Sequence, residues 1–214
     1  MNWVDKYKDV KSKVSELSSI LSKSYASLAL RKDLKSLSQN KNSVNYINKN
    51  ILKSYTITCE SVRVNCLLNI SLFSDKLSRI NLDKIINIIE YAKKHFNVNN
   101  FKNINENRAC IEDLILRFEW VSIGDIKELR DKNSKYSDLK VQITNYRNNR
   151  IAHIWSKSYP EDLITTENLE KYLNNIEEIF NIITRKIDFS ITSHSYFKEV
   201  NEASNLLNRL KIKA

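Results

Sequence analysis

The sequence predicts an all-α fold, and its composition and apolar periodicity lead to that prediction. The 214 residues include a single glycine and a single proline. Sheet proteins use these residues in tight turns, and nucleotide-binding folds need several glycines beside their phosphates. Helices need neither residue. Apolar side chains also recur with helical spacing through most of the chain, so we expect about six to seven helices.

The first three helices follow from apolar stripes and the polar residues that bound them. One stripe begins at Trp3 and continues to about Leu37. The polar segment 39–43 interrupts it, and a long second stripe follows from Ile47 to Ile70. Asn81 then has the position and chemistry of an N-cap for a third helix.

The second half of the chain alternates polar segments with further apolar stripes. No internal repeat and no low-complexity linker divides it, so we expect residues 1–214 to form one domain. The expected order is a loop at 97–105, a helix at about 106–120, a helix at about 122–154 with a weak point at 132–134, a loop at 156–165, a helix capped by Thr166, and a short helix at about 198–211 packed on the domain.

The cysteines and the apolar runs indicate the cellular compartment. Cys59 and Cys66 lie seven positions apart within an apolar stripe, and Cys110 makes the number odd. Buried free thiols are therefore expected rather than a disulfide or a zinc site. The N-terminal residues do not resemble a signal peptide, and the longest apolar run is too short to span a bilayer. We expect a cytoplasmic protein without membrane attachment, metal or cofactor.

The charge of the chain is strongly positive. The formal net charge is +10 at pH 7, and the pI is about 9.4. Such an excess attracts polyanions and increases the rate of encounter with nucleic acid. Solubility explains the same charge equally well, because the lysines are spread along the sequence without forming a basic block.

The segment from Tyr146 to Trp155 is the most informative part of the sequence. It contains two arginines, two asparagines and one of the three histidines. A cation near a titratable imidazole can stabilise a phosphate transition state and move a proton, as metal-free RNA cleavage requires. On an ideal helix Arg147 and His153 lie roughly 120° apart around the axis and about 9 Å apart along it. Three arrangements can close this gap: the long stem of Arg147 closes part of it, the helix frays near His153, or a second copy of the chain supplies the partner group.

Each of these residues also has a simpler interpretation. A histidine at a helix C-terminus often only interacts favourably with the helix dipole, which would account for His153. Trp155 would then be a core residue and the arginines solvated charges. Glu60 and Arg63, three positions apart on the second helix, would form an intrahelical ion pair. His95 and His194 receive no role.

The segment resembles the signature of the HEPN superfamily, in which an Arg, often followed by Asn, precedes a His by a few residues. Arg147, Asn148 and His153 match this pattern. The fuller segment 147–153 is similar to the AbiU-type branch, which is associated with abortive infection. The passages 72–75 and 80–82 and the loop with Pro160 also resemble that branch. The resemblance covers about Asn2 to Lys211.

The resemblance implies an antiparallel all-α bundle of the HEPN type that forms a homodimer, with the Arg and His of both protomers facing a shared cleft. It also implies a metal-independent endoribonuclease in which a ribose 2′-hydroxyl attacks the adjacent phosphate. His153 would act as general base or acid, Arg147 would neutralise the phosphorane charge, and Asn148 would position one of these groups. The expected RNA-binding residues are Arg150, Asn149 and Trp155, and the auxiliary residues are Glu60 and Arg63.

One position departs from the pattern of many toxin members. They carry Tyr two residues after the His, as a target for a nucleotidyltransferase, whereas Trp155 has no hydroxyl. We expect a ribonuclease in antiphage defence or a toxin, restrained by an antitoxin or defence partner through another route. The alternative is a non-catalytic HEPN module that binds RNA, nucleotide or a partner protein. A third interpretation is a basic scaffold protein.

Overall fold

The computed structural model describes residues 3–93, 97–104, 106–107, 109–116, 121–148, 164–188 and 191–194. Within these ranges the secondary structure is helical and includes no β-strand, so the all-α prediction is confirmed. The α-helices are α1 (Trp3–Leu37), α2 (Lys41–Tyr46), α3 (Leu52–Ser71), α4 (Leu82–Ala92), α5 (Val98–Ile104), α6 (Ile111–Leu116), α7 (Ile123–Ser134), α8 (Ser137–Tyr146) and α9 (Thr166–Asp188), and a π-helical segment, Ile47–Ile51, joins α2 to α3.

The first three predicted helices are present. α1 has the predicted ends, and Asn81 caps α4 by accepting a hydrogen bond from the backbone N–H of Lys84 at 3.0 Å. The predicted second helix corresponds to α2, the π-helical segment and α3. Its start lies inside the expected polar break, because the Asn40 side chain accepts the N–H groups of Asn42 and Ser43 and so begins α2 at Lys41.

The prediction of a loop at 97–105 is wrong, because Val98–Ile104 form α5. The Asn97 side chain accepts the N–H of Asn100 at 2.9 Å, as an N-cap does. Phe101 is buried, with 3% of its surface exposed. A cap and one buried aromatic side chain thus stabilise a helix that is too short to show an apolar stripe.

The fourth predicted helix is shorter than expected among the described residues. α6 begins at Ile111, and the residue before it, Cys110, has a φ of 58° in the left-handed region. A helix cannot continue through that conformation, so residues before Cys110 do not belong to α6. Residues 117–120 lie outside the described residues.

The prediction of one helix from about 122 to 154 is also wrong, because α7 and α8 are separate. The break follows directly on the predicted weak point at 132–134. The Asn175 side chain donates to the carbonyl of Lys132 at 2.9 Å, and the Asn133 side chain donates to Asp83 at 2.6 Å. Where a helix ends, its last carbonyls need partners from elsewhere, whereas in a continuing helix the next turn supplies them. These contacts therefore stabilise the end of α7.

The start of α9 differs from the prediction by one residue. Thr165, not Thr166, is the N-cap, since its hydroxyl oxygen accepts the N–H of Asn168 at 3.1 Å. Of the loop predicted at 156–165, residues 156–163 lie outside the described residues, as does the predicted short helix at about 198–211. The assignment to a HEPN-type bundle and the single-domain organisation stay predictions.

The described residues group into two compact units. Unit 1 takes its residues from Met1–Ser19, Leu72–Ser137 and Asn174–Thr192, and unit 2 from Ile20–Ser71, Asp138–Leu173 and Ser193–Ala214. Each unit has its own buried apolar side chains. Those of unit 1 include Val10, Leu17, Ile85, Ile86, Leu129, Ile176 and Ile179, and those of unit 2 include Leu21, Tyr25, Leu28, Leu67, Ile143, Tyr146 and Leu169.

No helix in the described part of the chain is both long enough and apolar enough to cross a membrane.

Candidate functional site

The candidate site lies in unit 2, where two long helices pack side by side. Tyr55 on α3 donates its hydroxyl to the carbonyl of Leu34 on α1. Further along α3, the Asn65 side chain donates to the Ser27 hydroxyl at 3.4 Å. Residue numbers rise along α3 while they fall along α1, so the helices are antiparallel here. In this register, Arg31 lies between the two contact points.

Burial and a hydrogen-bonding interaction with Cys59 raise the pKa of the Tyr55 hydroxyl to about 12. The hydroxyl therefore stays protonated at neutral pH and keeps donating to Leu34. This contact fixes the register of the antiparallel pair.

Arg31 places a positive charge in a largely enclosed position. Its Nη1 atom is buried and has no hydrogen-bond acceptor within the part of the chain that the structure describes. Burial lowers the pKa of the guanidinium, and the charge of Arg63 lowers it further, while Glu60 opposes this effect. The group remains charged at neutral pH, because arginine is effectively always protonated in proteins.

Arg63 is held against the end of α8. Its Cζ atom lies 5.3 Å from the centroid of the Tyr146 ring, which is a cation–π distance. Tyr146 is 2% exposed and is the last residue of α8. Tyr146 directly precedes Arg147, so its contact with Arg63 connects the Arg31–Arg63 pair to the start of the segment that contains Arg147.

The cluster formed by Arg31, Glu60, Arg63 and Tyr146 contains two guanidinium groups and one carboxylate. Burial raises the pKa of the neighbouring Cys66 thiol to about 12, although the charge of Arg31 opposes this effect, so the thiol is neutral at pH 7. The two guanidinium groups lie close enough for the charge of Arg63 to lower the pKa of Arg31, while Glu60 raises it.

Arg147 and Asn148 follow this cluster in a π-helical turn at the end of α8. The Nε and Nη2 atoms of Arg147 donate to the side-chain oxygen of Asn148 at 3.1 and 3.0 Å. Arg147 is half-buried and Asn148 is exposed. The Asn148 amide therefore holds the Arg147 guanidinium, whereas the catalytic role that the resemblance implies for Asn148 stays a prediction.

The remaining predicted site residues are His153, Asn149, Arg150 and Trp155, and all four lie outside the described residues. Their roles stay predictions. Glu60 and Arg63 are described, and the structure places both within electrostatic reach of Arg31. Sequence reasoning missed Arg31, because only the pairing of α1 with α3 relates it to Glu60 and Arg63.

Other candidate positions carry no catalytic arrangement. All three cysteines are free, with Cys66 buried, Cys59 partly buried and Cys110 exposed. The predicted burial is therefore confirmed for Cys66, holds in part for Cys59 and is wrong for Cys110. His194 is buried, and its ring stacks on Tyr25 with the centroids 6.0 Å apart. Within the described ranges, His, Cys, Asp and Glu side chains form no group of three that could hold a metal ion.

Unit 1 contains a second charged region, a groove between α7 and α9. Here the opposite charges are paired, with Lys132 2.7 Å from Glu178 and Lys186 3.6 Å from Asp125. The hydrogen bond and charge of Glu178 raise the pKa of Lys132. Because its opposite charges are paired, we interpret this groove as a structural contact between α7 and α9.

Comparison of the chain with models of known protein families, with curated protein sequences and with solved structures gave no match.

Proposed function

We propose that this chain is a metal-independent endoribonuclease of the HEPN type that acts in antiphage defence or as a toxin. The observation that carries the proposal is the segment with Arg147, Asn148 and His153. The Asn148 amide orients the Arg147 guanidinium. A group that stabilises charge on a phosphate must be held in position in this way. The positively charged Arg31–Arg63 pair beside Tyr146 supports the same substrate class.

The reaction uses groups of the chain and of the RNA. His153 removes the proton of a ribose 2′-hydroxyl, whose oxygen forms a bond to the adjacent phosphorus. Arg147 neutralises the added charge on the phosphorane oxygens. The bond from phosphorus to the 5′-oxygen then breaks, and this oxygen takes a proton from an imidazolium. The products are a 2′,3′-cyclic phosphate and a free 5′-hydroxyl.

A homodimer would complete this site. Arg147 and His153 point about 120° apart on one ideal helix, whereas the reaction needs both around one phosphate. A two-fold axis beside the end of α8 would let the partner protomer supply a missing group. The cytoplasm is the proposed compartment, and an antitoxin or defence partner that covers the cleft is the proposed restraint. Modification at Trp155 is excluded, since an indole has no hydroxyl.

The test measures cleavage of total RNA in the presence of EDTA. We expect cleavage to survive chelation, and His153→Ala and Arg147→Ala each to lose at least roughly a hundredfold in rate. Arg79→Ala, which removes an exposed arginine from the loop before α4, is the control and should cleave normally. If both site variants cleave as fast as the parent protein, the proposed function is wrong.

A second candidate function is an RNA-binding module without catalysis. The two neighbouring guanidinium groups of Arg31 and Arg63 favour it, because their charge does not depend on His153. The same assay separates the two functions. A protein that retains RNA on a filter but leaves it intact at every concentration has the second function.

A further inference from the structure

One end of unit 2 carries exposed lysines in a stretch of sequence without acidic residues. Lys35 lies in the last turn of α1. Lys41, Lys49 and Lys53 follow in the continuous helical run formed by α2, the π-helical segment and α3, and all four side chains are exposed. Residues 34–59 include no Asp and no Glu. This part of the sequence therefore contributes only positive charge to the surface.

Three of these lysines lie along one face of the helical run. Lys41, Asn45, Lys49 and Lys53 follow one another at intervals of four residues, and all four are exposed. On an α-helix, each step of four residues rotates the side chain by about 40° relative to the previous one. A π-helical turn holds more residues than an α-helical turn, so the segment Ile47–Ile51 reduces this drift. We call this row of four side chains the lysine stripe.

The lysine stripe differs from the other charged helix faces in its pairing. Elsewhere a lysine meets a carboxylate one turn away, as Lys171 meets Glu167 at 2.6 Å. Among the residues that the structure describes, no carboxylate forms an ion pair with a lysine of the stripe. Lys49 and Lys53 are one turn apart, and like charges at this spacing destabilise a helix. A bound polyanion would offset that repulsion.

The surroundings of the stripe favour a nucleic-acid strand over a lipid surface. A helix that lies on an anionic membrane needs a continuous apolar face. The exposed apolar side chains here, Leu52 and Ile57, point about 140° apart around the axis of α3 and form no such face. The helical run instead exposes four asparagines, Asn42, Asn45, Asn48 and Asn50. Amides and lysines are the groups that contact phosphate oxygens and sugars in nucleic-acid complexes.

We propose that the lysine stripe binds the phosphate backbone of single-stranded RNA and holds the substrate away from the phosphate that reacts. The choice of RNA as the ligand rests on the proposed function. Lys53 precedes Arg63 by ten residues on α3, which corresponds to about 15 Å along the helix axis. Arg63 contacts Tyr146, which directly precedes Arg147. The stripe therefore increases the affinity for a strand long enough to reach from α2 to the end of α8, and takes no part in the chemical step.

The experiment measures binding of a fluorescein-labelled 2′-O-methyl RNA oligonucleotide, which cannot be cleaved because the 2′-hydroxyl is blocked. Fluorescence anisotropy over a series of salt concentrations gives the Kd and its salt dependence. Lys41→Gln, Lys49→Gln and Lys53→Gln should each reduce the slope of log K against log salt by about 0.7, the value for one phosphate contact on a single strand. The triple variant should lose about 2 from the slope and raise the Kd at least about tenfold.

A matched triple variant distinguishes phosphate contacts from a general loss of charge. Lys8→Gln, Lys76→Gln and Lys127→Gln together remove the same charge from exposed positions of unit 1. This control should change the Kd less than about twofold and leave the slope unchanged, because screening limits the reach of exposed charges. Both triple variants should keep the Tm of the parent protein, since all six positions are exposed. The single variants carry the test if the stripe triple does not fold.

The results have separate consequences for the stripe and for the ribonuclease. Equal slopes for the two triple variants would overturn the stripe as an RNA-binding surface, even if the parent protein cleaves total RNA. A parent protein that does not bind the oligonucleotide would overturn it as well. Cosedimentation with vesicles of equal parts phosphatidylserine and phosphatidylcholine tests a lipid ligand, and vesicle binding lost only in the stripe triple, with an unchanged RNA slope, would also overturn it. The expected slopes in a protein that never cleaves RNA would support the stripe and refute the proposed function.

Discussion

The two units arrange charged side chains between helices in different ways. In unit 1, Lys132 faces Glu178 and Lys186 faces Asp125, so each cation has a nearby carboxylate. In unit 2, the guanidinium groups of Arg31 and Arg63 lie within electrostatic reach of each other, and the Nη1 atom of Arg31 is buried without a hydrogen-bond acceptor among the described residues. Paired charges stabilise a helix contact or leave its stability unchanged, whereas a buried donor without an acceptor and a nearby like charge are a cost. The difference indicates that the charges of the first region stabilise the fold and that Arg31 in the second does not.

The strongest test of this comparison replaces one cation in each unit with methionine. Lys132→Met should lower the free energy of unfolding by up to about 1 kcal/mol, since it removes the ion pair with Glu178. Arg31→Met should leave that free energy unchanged or raise it by about 1–4 kcal/mol, because an apolar group replaces a charge whose buried Nη1 donor has no acceptor among the described residues.

Urea unfolding at pH 7, followed by circular dichroism, measures both values. A loss of stability in Arg31→Met larger than that in Lys132→Met would contradict the comparison, and would make the unit 2 cluster a structural element.

The next test uses pH to examine a paired carboxylate in unit 1. Partial burial favours a higher pKa for Asp125, but hydrogen bonds from Ser122 and the charge of Lys186 outweigh it and lower the pKa below 3.8. A lowered pKa in the folded state adds stability above the unfolded value, and this stability disappears as the pH falls through the folded value.

Asp125→Asn should therefore lower the free energy of unfolding by about 1 kcal/mol at neutral pH, where it also weakens the capping box with Ser122. The difference from the parent protein should shrink as the pH approaches about 3. Urea titrations at both pH values measure it, and a difference that grows in acid would show that Asp125 does not act as a stabilising carboxylate.

The smallest expected effect concerns the single carboxylate of the unit 2 cluster. Glu60→Gln removes the negative charge that partly offsets Arg31 and, under the proposed function, should tighten binding of a single-stranded RNA oligonucleotide with 2′-O-methyl groups, which cannot be cleaved, by about two- to fivefold. Glu128→Gln in unit 1, which removes a carboxylate 3.8 Å from Lys132, is the matched control and should not change the Kd. Weaker binding in Glu60→Gln would mean that Glu60 positions the arginines rather than opposing the phosphate.

Local sequence chemistry predicted much of the helical structure, and its failures have specific causes. Asn81 was recognised as a cap because a short polar side chain precedes a strong apolar stripe. α5 was missed, because among those of its side chains that the structure describes Phe101 alone is buried. The break between α7 and α8 was placed only approximately, since the Asn175 and Asp83 groups that contact it are remote in the chain.

The candidate site divides in the same way. The residue types of Arg147, Asn148 and His153 and their spacing are properties of one short segment, so the sequence alone sufficed to name them as candidates, and it also predicted the all-α class. The link between Arg31, Glu60 and Arg63 depended on the antiparallel register of α1 and α3, which the Tyr55 and Asn65 contacts fix. Apolar periodicity shows which face of a helix is buried, but it does not specify which residues of another helix lie opposite. Only the tertiary structure could therefore bring two distant arginines together.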